Sequence, residues 1–398
     1  MAGAARKRLM TLRARAYRAL MKSAHALGIR DGRKVVFDSF GGHAYSDNPR
    51  AVCEALLALR PDVRAVWLFK DPRKARPHMP ERVRAVRSHS LAAVWHMATA
   101  GTWVFNGLMP HYAVKGKGQF YVQTWHGDRP FKVCLQESGK NGLPDAGAID
   151  LAVAASQAGT DFFRSAFQYQ GDILVEGSPR NDVLVNPVPA LAERTRKQLG
   201  LRRSWGVAMF APTMREHLSH TAHKQDLSGI DLVRVLDLLE KKEGRPWRML
   251  VRAHSTVAGL TGLAQDSRIL DVSGYEDMRD LLAICDLLLS DYSSCASDFP
   301  LTGKPVALFQ PDLDQYQAQD RPLYFSMEDT PYWAAANQRE LEQILLDMNP
   351  DKARDNDEAI LDFFGTQESG HAARAVAQRI LQRFPPPPPA QPAEPGGL

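Results

Sequence analysis

The sequence contains no run of about 18 apolar residues, the length that an α-helix needs to cross a bilayer. Its first residues lack the apolar centre and small-residue cleavage site of a secretory signal, so we expect the chain to remain in the cytoplasm. Only four of the 398 residues are cysteine, and their spacing matches no zinc finger or redox motif. We expect these cysteines to be reduced and buried, and we assign no metal and no other cofactor to the chain.

The composition is that of a globular protein. Hydrophobic residues make up 44% and charged residues 24% of the chain, which excludes disordered and fibrous classes. A length of 398 residues is enough for two domains of ordinary size, each with a buried core.

Positive charge is concentrated at the front of a chain whose net charge is +5. Apolar residues recur at helical spacing between these cations, which predicts a basic amphipathic helix within residues 1–30. The pattern favours a helix that lies on an anionic membrane surface, and the alternative is a helix packed on the protein itself. We expect no nucleic-acid partner, because no aromatic-basic signature or helix-turn-helix pattern occurs. The basic residues are Arg6, Lys7, Arg8, Arg13, Arg15, Arg18 and Lys22.

Short β-branched or aromatic runs alternate with helical segments along most of the chain, which is typical of parallel sheets covered by helices. They fall into two sets, and a proline-rich stretch at 186–189 separates the sets. The pattern predicts two α/β lobes. Strands are predicted at 34–40, 63–69, 102–106, 119–124 and 151–155, then at 206–211, 247–252, 267–271, 287–290 and 305–309. The expected divisions are the N-terminal helix (1–30), a first lobe (31–188), a second lobe (189–345), C-terminal helices (346–384) and a disordered proline-rich tail (385–398).

The segment 123–132 places a histidine directly after an apolar strand. Ligands gather at the carboxyl ends of strands in open α/β sheets, so His126 is well placed for chemistry. Because imidazole titrates near neutral pH, His126 is a candidate general base. Arg129 and Lys132 add positive charge that suits an anionic substrate. The alternative is a turn histidine that bonds only to the backbone.

A second strand end, at 250–255, carries Arg252 and His254. If the two lobes face each other, His126 and His254 would meet across a cleft that holds both substrates. Each of these histidines could instead be structural. The two-lobed reading therefore predicts a shared site without proving it.

The segment 287–294 runs from an apolar strand through a polar turn into a helix. Backbone N–H groups at the helix start, with Asp291, Ser293 and Ser294 around them, are suited to a diphosphate. The alternative is ordinary helix capping. Thr213 and Arg215 follow another predicted strand, and Arg215 could hold a phosphate oxygen.

Taken together and in order, several segments resemble the CDP-glycerol glycerophosphotransferase family, whose members prime or polymerise teichoic acids and some capsules. The resemblance runs from about residue 34 to residue 329. It rests on the segments 37–40, 45–49, Trp125-His126-Gly127, Glu176-Gly177-Ser178-Pro179-Arg180-Asn181-Asp182, Ala211-Pro212-Thr213, Arg252-Ala253-His254, Ser290-Asp291-Tyr292-Ser293-Ser294, Asp298-Phe299 and Asp312-Leu313.

The resemblance implies a GT-B-like fold, with two Rossmann-type lobes and a cleft between them. It implies a CDP-alditol donor bound mainly by the second lobe, a lipid-linked or polymer acceptor, and peripheral attachment to the cytoplasmic face of the membrane. It also implies that His126 and His254 match the family's two essential histidines. The candidate substrate- and phosphate-binding residues are Arg129, Lys132, Arg180, Thr213, Arg215, Arg252, Asp291, Ser293 and Ser294.

The expected function is therefore transfer of glycerol phosphate, or a related alditol phosphate, from the CDP donor to an acceptor hydroxyl in teichoic acid or capsular polysaccharide synthesis. Two alternatives remain open. One is a GT-B glycosyltransferase that uses a nucleotide sugar. The other is a non-catalytic scaffold that associates with the membrane.

Overall fold

The computed structural model describes residues 2–75, 79–134, 146–213, 215, 229–253, 266–384 and 386. Within these residues the chain forms two parallel sheets, each covered by helices on both faces. The four cysteines are free and buried, as expected. None of the described helices combines the length and the hydropathy needed to cross a bilayer.

The first sheet has seven parallel strands in the order β3-β2-β1-β4-β5-β6-β7. The first six follow the Rossmann order, in which the direction of strand addition reverses between β1 and β4. Loops part at that point, so the carboxyl ends of β1 and β4 are where a ligand has room to bind. The strands are β1 (Asp31–Asp38), β2 (Arg64–Phe69), β3 (Arg84–Arg87), β4 (Ala100–Phe105), β5 (Phe120–Gln123), β6 (Leu151–Ala154) and β7 (Asp172–Val175).

Six helices lie in this part of the chain among the residues that the structure describes. Two of them begin at serines that cap a free N–H group: Ser90 accepts from Ala93 and Ser156 accepts from Gly159. One face of the sheet packs against α1, α4 and α5, and the other packs against α2. The helices are α1 (Ala2–Ala26), α2 (Asp47–Leu59), α3 (Pro72–Ala75), α4 (Leu91–Thr99), α5 (Gln157–Ser165) and α6 (Asp182–Val185).

The second sheet has six parallel strands in the order β10-β9-β8-β11-β12-β13, which repeats the Rossmann order. Its central strand β8 is buried along its whole length, as its uninterrupted apolar run predicts. The expected GT-B-like pair of Rossmann-type lobes is confirmed. The strands are β8 (Gly206–Ala211), β9 (Trp247–Val251), β10 (Ile269–Asp271), β11 (Leu287–Ser290), β12 (Val306–Phe309) and β13 (Trp333–Ala335).

The last helices of the chain divide between the two sheets. Ile360 of α13 lies in the core of the second sheet, whereas Val376 and Ile380 of α14 lie in the core of the first. The chain therefore returns to the first lobe at its end, which the sequence pattern did not indicate. The helices are α7 (Pro189–Gln198), α8 (Leu232–Glu243), α9 (Met278–Leu282), α10 (Cys295–Asp298), α11 (Leu313–Gln319), α12 (Gln338–Asp347), α13 (Pro350–Phe363) and α14 (Ala372–Leu381).

Candidate active site at the facing strand ends

The turn after β5 carries His126 and is held in a strained conformation. Trp125 has a φ of +49°, a left-handed conformation that costs a bulky residue about 1–2 kcal/mol. The turn is held because the main-chain N–H of Trp125 donates to Oε1 of Gln123 over 2.9 Å and the indole packs edge-on against Phe167. The chain reverses here, so that the His126 ring comes to lie beside the end of β4.

The hydrogen bond that His126 makes fixes its tautomer. Nδ1 lies 2.6 Å from the main-chain oxygen of Asn106. Because a carbonyl oxygen can only accept, Nδ1 must carry the hydrogen, and Nε2 is left with its lone pair. Burial lowers the pKa of His126 and is the largest effect; the hydrogen bond to Asn106 and the charge of Asp47 oppose it, and the charges of Arg180 and Lys132 add smaller lowering effects. His126 is therefore neutral at pH 7 and can accept a proton at Nε2.

Asn106 organises the surroundings of His126 through its side chain as well. Its Oδ1 accepts from the main-chain N–H of Phe40 over 2.8 Å, and its Nδ2 donates to Oδ1 of Asp47 over 3.0 Å. Phe40 and Asp47 both have positive φ values, 50° and 62°. Asn106 was not among the predicted site residues. Its position one residue after β4, at the switch point of the sheet, is the signal that could have identified it.

Arg180 links His126 and Asp47 through hydrogen bonds from its guanidinium. Its Nη1 donates to Oδ2 of Asp47 over 3.0 Å and to the carbonyl oxygen of His126 over 2.8 Å. Its Nη2 donates to Oδ2 of Asp298 over 2.8 Å. We expected Arg180 to bind substrate phosphate, but its guanidinium is buried and already surrounded by acceptors. We therefore assign it the role of positioning His126 and Asp47.

Arg129 also lies away from any open surface, and the expected phosphate contact is corrected. Its side chain is 0% exposed, and its Nη2 donates to Oδ1 of Asp298 over 2.6 Å and to Oε1 of Glu368 over 3.2 Å. A buried guanidinium needs such carboxylate partners. Arg129 thus joins the turn after β5 to α10 and to the segment before α14.

Three of the predicted residues of the second lobe bind one another. Both carboxylate oxygens of Asp291 accept from the main-chain N–H of Thr213, over 2.8 and 3.0 Å. Arg215 donates to Asp291 over 2.8 Å and to Asp312 over 2.7 Å. The charge of Arg215 is matched by these two carboxylates, so we now assign Thr213, Arg215 and Asp291 to holding the ends of β8 and β11.

Arg252 differs from these arginines. It follows β9 directly, and its side chain forms no hydrogen bond or ion pair with any other residue that the structure describes. Its Nη1 is buried, and none of the described residues is its hydrogen-bond partner. Burial lowers the pKa of Arg252, against opposing effects of Asp277 and other nearby groups. A guanidinium at a strand end with such a free Nη1 is suited to an anionic ligand, and the donor-binding role of Arg252 remains a prediction.

The motifs of the two lobes adjoin at Gly127 and Ser294. A methyl group added at Gly127 would lie 3.5 Å from Oγ of Ser294, so the loop that carries His126 faces the turn before α10. Lys132 forms an isolated β-bridge with Leu323 of the second lobe, so the loop after β5 contacts both lobes. The helix after Ser294 is short, because α10 ends at Asp298 and a 3₁₀ turn follows.

The structure does not place two of the predicted site residues, His254 and Ser293, in contact with His126. His254 lies outside the described residues, so its predicted approach to His126 remains a prediction. Ser293 is half-buried, and its Oγ accepts from the thiol of Cys295 over 3.3 Å. In the part of the chain that the structure describes, no three His, Cys, Asp or Glu side chains are grouped as a metal site.

Comparisons with known proteins identify the family. The family described as CDP-Glycerol:Poly(glycerophosphate) glycerophosphotransferase matches residues 20–382. The teichoic acid poly(glycerol phosphate) polymerase of Staphylococcus epidermidis is 30% identical over 375 residues, which are 87% of this chain and 50% of that protein. The polymerase of the same description from Bacillus spizizenii is 27% identical over 88% of this chain and 93% of that protein. The chain thus spans about half of the first relative and nearly all of the second.

Solved structures agree with these relatives. The wall teichoic acid polymerase TagF superimposes with a TM-score of 0.80 at 29% identity, over 94% of this chain and 95% of that chain. A TagF structure soaked with CDPG gives the same TM-score of 0.80. The match over most of the chain confirms the resemblance seen in the motifs, and with it the transferase class. The chain belongs to the CDP-glycerol:poly(glycerophosphate) glycerophosphotransferase family.

Proposed function

We infer that this chain transfers the glycerol phosphate unit of CDP-glycerol to a hydroxyl group of a lipid-linked or polymer acceptor in teichoic acid synthesis. The observation that carries the inference is the hydrogen bond from Nδ1 of His126 to the main-chain oxygen of Asn106. It leaves Nε2 of His126 as a proton acceptor, and Gly127, the next residue, faces Ser294 at the start of α10 in the second lobe. Family membership supplies the donor class, and this geometry supplies the base.

The reaction is an in-line displacement at the donor phosphorus that carries glycerol. The acceptor oxygen forms a bond to that phosphorus, and the bond from the phosphorus to the bridging oxygen breaks. CMP leaves with the bridging oxygen and its electron pair. The proton of the attacking hydroxyl passes to Nε2 of His126. The product is a phosphodiester, so the acceptor grows by one alditol phosphate.

The second lobe is suited to the donor diphosphate. Arg252 brings a buried, unmatched positive charge to the end of β9. Ser294, beside Gly127, brings a hydroxyl group to the start of α10. Charge that develops on the phosphate oxygens in the transition state would be stabilised by these groups. Ser293 and His254 belong to the same proposal, although His254 lies outside the described residues.

We also propose that the chain attaches to the cytoplasmic face of the membrane through α1. The leucines of its front half are exposed, Leu9 by 67% and Leu12 by 60%. Its rear half packs on the first lobe through Tyr17 and Met21, so both of the alternatives weighed from the sequence contribute to this helix. Exposed apolar side chains among arginines are typical of a helix lying in a lipid headgroup region.

The test is to identify the product. The purified chain is incubated with a lipid-linked acceptor and with CDP-glycerol, CDP-ribitol or a nucleotide sugar, and the products are weighed by mass spectrometry. We expect CMP release and an acceptor heavier by one or more glycerol phosphate units. A glycosidic product from the nucleotide sugar would favour the GT-B glycosyltransferase alternative. An unchanged acceptor with every donor, together with no heat of CDP-glycerol binding, would favour the scaffold.

A further inference from the structure

Four side chains with positive charge or hydrogen-bond donors gather beyond the ends of β2 and β3, and we call Arg13, Lys70, His89 and His111 the basic cluster. Lys70 follows β2 directly, His89 lies two residues after β3, and Arg13 comes from α1. All four are exposed. The ring of Tyr112 lies 5.6 Å from the rings of both His89 and His111 and 5.2 Å from the ring of Tyr17, over which Arg13 lies. The main-chain N–H of Ser88, beside His89, donates to the carbonyl oxygen of Phe69, beside Lys70, over 2.6 Å, so the four groups lie close together.

The two permanent cations of the basic cluster have no carboxylate partner in the described part of the chain. The guanidinium of Arg13 lies 5.7 Å from the centre of the Tyr17 ring, and the ammonium of Lys70 donates to Nε2 of His43. Neither forms an ion pair there. Asp71, which follows Lys70, is exposed, and its Oδ1 accepts from the main-chain N–H of Arg73 over 3.2 Å. Asp38 lies at the end of β1, and burial raises its pKa to about 7. Asp38 is thus only partly ionised near neutral pH, and the basic cluster keeps a net positive charge.

The basic cluster shares one edge of the first sheet with His126. In the order β3-β2-β1-β4-β5, the ends of β2 and β5 are three strand spacings apart, on the order of 15 Å. The segment between them is continuous: Phe40 lies with its ring 5.4 Å from the His126 ring, and Gly42 accepts from the main-chain N–H of Lys70 over 2.7 Å. A ligand that reaches both places must be extended and must carry its negative charge well behind its reacting hydroxyl.

We propose that the basic cluster binds a phosphate group of the acceptor, one that lies behind the hydroxyl presented to His126. The proposal rests on the proposed function, in which the acceptor is lipid-linked or polymeric and contains phosphodiesters or a diphosphate. The donor is assigned to Arg252 and Ser294 of the second lobe, so the basic cluster is left for the other substrate. Helix α1 completes it, because Arg18 donates to the carbonyl oxygen of His111 and exposed leucines precede Arg13 on the same helix.

The binding of a soluble glycerol phosphate oligomer to the full chain, without donor, tests this directly by calorimetry. We expect Lys70→Ala and Arg13→Ala each to raise the Kd of the oligomer by about tenfold, since each removes one charge-assisted contact. Arg82→Ala is the matched control, because Arg82 is an exposed arginine just before β3, at the amino end of a strand and not at the carboxyl end where the basic cluster lies. Its Kd should stay within about twofold of the wild type. An unchanged Kd in both cluster variants overturns the proposal.

A second arm separates an acceptor phosphate from a lipid headgroup. Binding to vesicles that contain anionic phospholipid is measured for the same variants. We expect vesicle binding of Lys70→Ala to match that of Arg82→Ala. If Lys70→Ala lowers vesicle binding and leaves oligomer binding unchanged, the basic cluster is a membrane contact and the proposal is wrong. A wild type that binds the oligomer through the basic cluster but releases no CMP from CDP-glycerol would count against the proposed function alone.

Discussion

The imidazole of His126 donates its Nδ1 hydrogen to the main-chain oxygen of Asn106 over 2.6 Å. Two adjacent strands thus position the proposed base, because His126 follows β5 and Asn106 follows β4. A main-chain acceptor cannot be lost by substitution, so the tautomer of His126 is set by the fold of the sheet. What substitutions can change is the charge around the ring.

The pH dependence of the reaction should move in opposite directions when opposite charges beside His126 are removed. A general base must be neutral, so kcat/KM falls below the pKa of His126. Asp47 raises that pKa and Lys132 lowers it. We expect Asp47→Asn to move the acid limb to lower pH and Lys132→Met to move it to higher pH, each by about half a unit to one unit. Asp351→Asn, at an exposed carboxylate of α13, is the control, and limbs that move together would contradict the assignment.

Replacing Arg252 should separate donor binding from stability. Arg252→Met removes the positive charge that we assign to the donor phosphates, so the Kd for CDP-glycerol should rise about tenfold to a hundredfold. The variant should be no less stable without donor, because a guanidinium whose buried Nη1 has no hydrogen-bond partner among the described residues is replaced by an apolar side chain. Calorimetry and thermal unfolding measure the two quantities. Arg245→Ala, at the other end of β9, should change neither, and unaltered donor affinity in Arg252→Met would remove its proposed role.

Asp298 should be one of the most sensitive positions for stability. It accepts from both Arg129 and Arg180, over 2.6 and 2.8 Å, and all three side chains are buried. Asp298→Ala leaves two buried guanidinium groups with fewer counter-charges, which should lower the free energy of unfolding by about 3–5 kcal/mol. Asp351→Ala breaks only the exposed pair with Arg354 and should change it by less than about 0.5 kcal/mol. Denaturant unfolding measures both changes. Similar losses of unfolding free energy in the two variants would contradict the stabilising role of Asp298 between Arg129 and Arg180.

Asp357 should make the protein less stable as the pH rises. It is 3% exposed, its oxygens have no hydrogen-bond partner in the described structure, and burial raises its pKa to about 8. The unfolded chain releases the proton near pH 4 and the folded chain near pH 8, so this contribution to stability is present at low pH and is lost between those values. At pH 8 the free energy of unfolding of Asp357→Asn should therefore exceed that of the wild type by roughly 1–3 kcal/mol, which thermal unfolding would show as a higher unfolding temperature. At pH 4 the two proteins should be equally stable. An equal effect at both pH values would contradict the raised pKa.

Much of the fold could be read from local patterns. The runs of buried apolar residues predicted every strand of the first sheet except β3 and β7, because short strands such as β3 (Arg84–Arg87) carry charged residues and little apolar signal. β13 was missed for a similar reason, being three residues long and partly exposed at the sheet edge. The sequence did not predict that α14 packs on the first lobe, because a helical pattern shows which face of a helix is apolar and not which sheet that face covers.

The site divides in the same way. His126 and Arg252 could be proposed from the sequence because each directly follows a strand or its turn, which is a local feature. The assignments of Arg129 and Arg180 to phosphate failed because Asp298 and Glu368, which pair with them, lie more than a hundred residues away in the chain. An arginine beside a glycine-containing turn has the same local sequence whether it meets a ligand or a buried carboxylate. Asn106 was missed because its decisive contact uses the main chain.

The most direct test of the account is the rate of CMP release by His126→Ala in the presence of CDP-glycerol and a lipid-linked acceptor. Loss of the proton acceptor should lower kcat by about a hundredfold to ten-thousandfold, while the Kd for CDP-glycerol and the unfolding temperature stay close to those of the wild type. A folded variant that releases CMP within about tenfold of the wild-type rate would show that Nε2 of His126 is not the base.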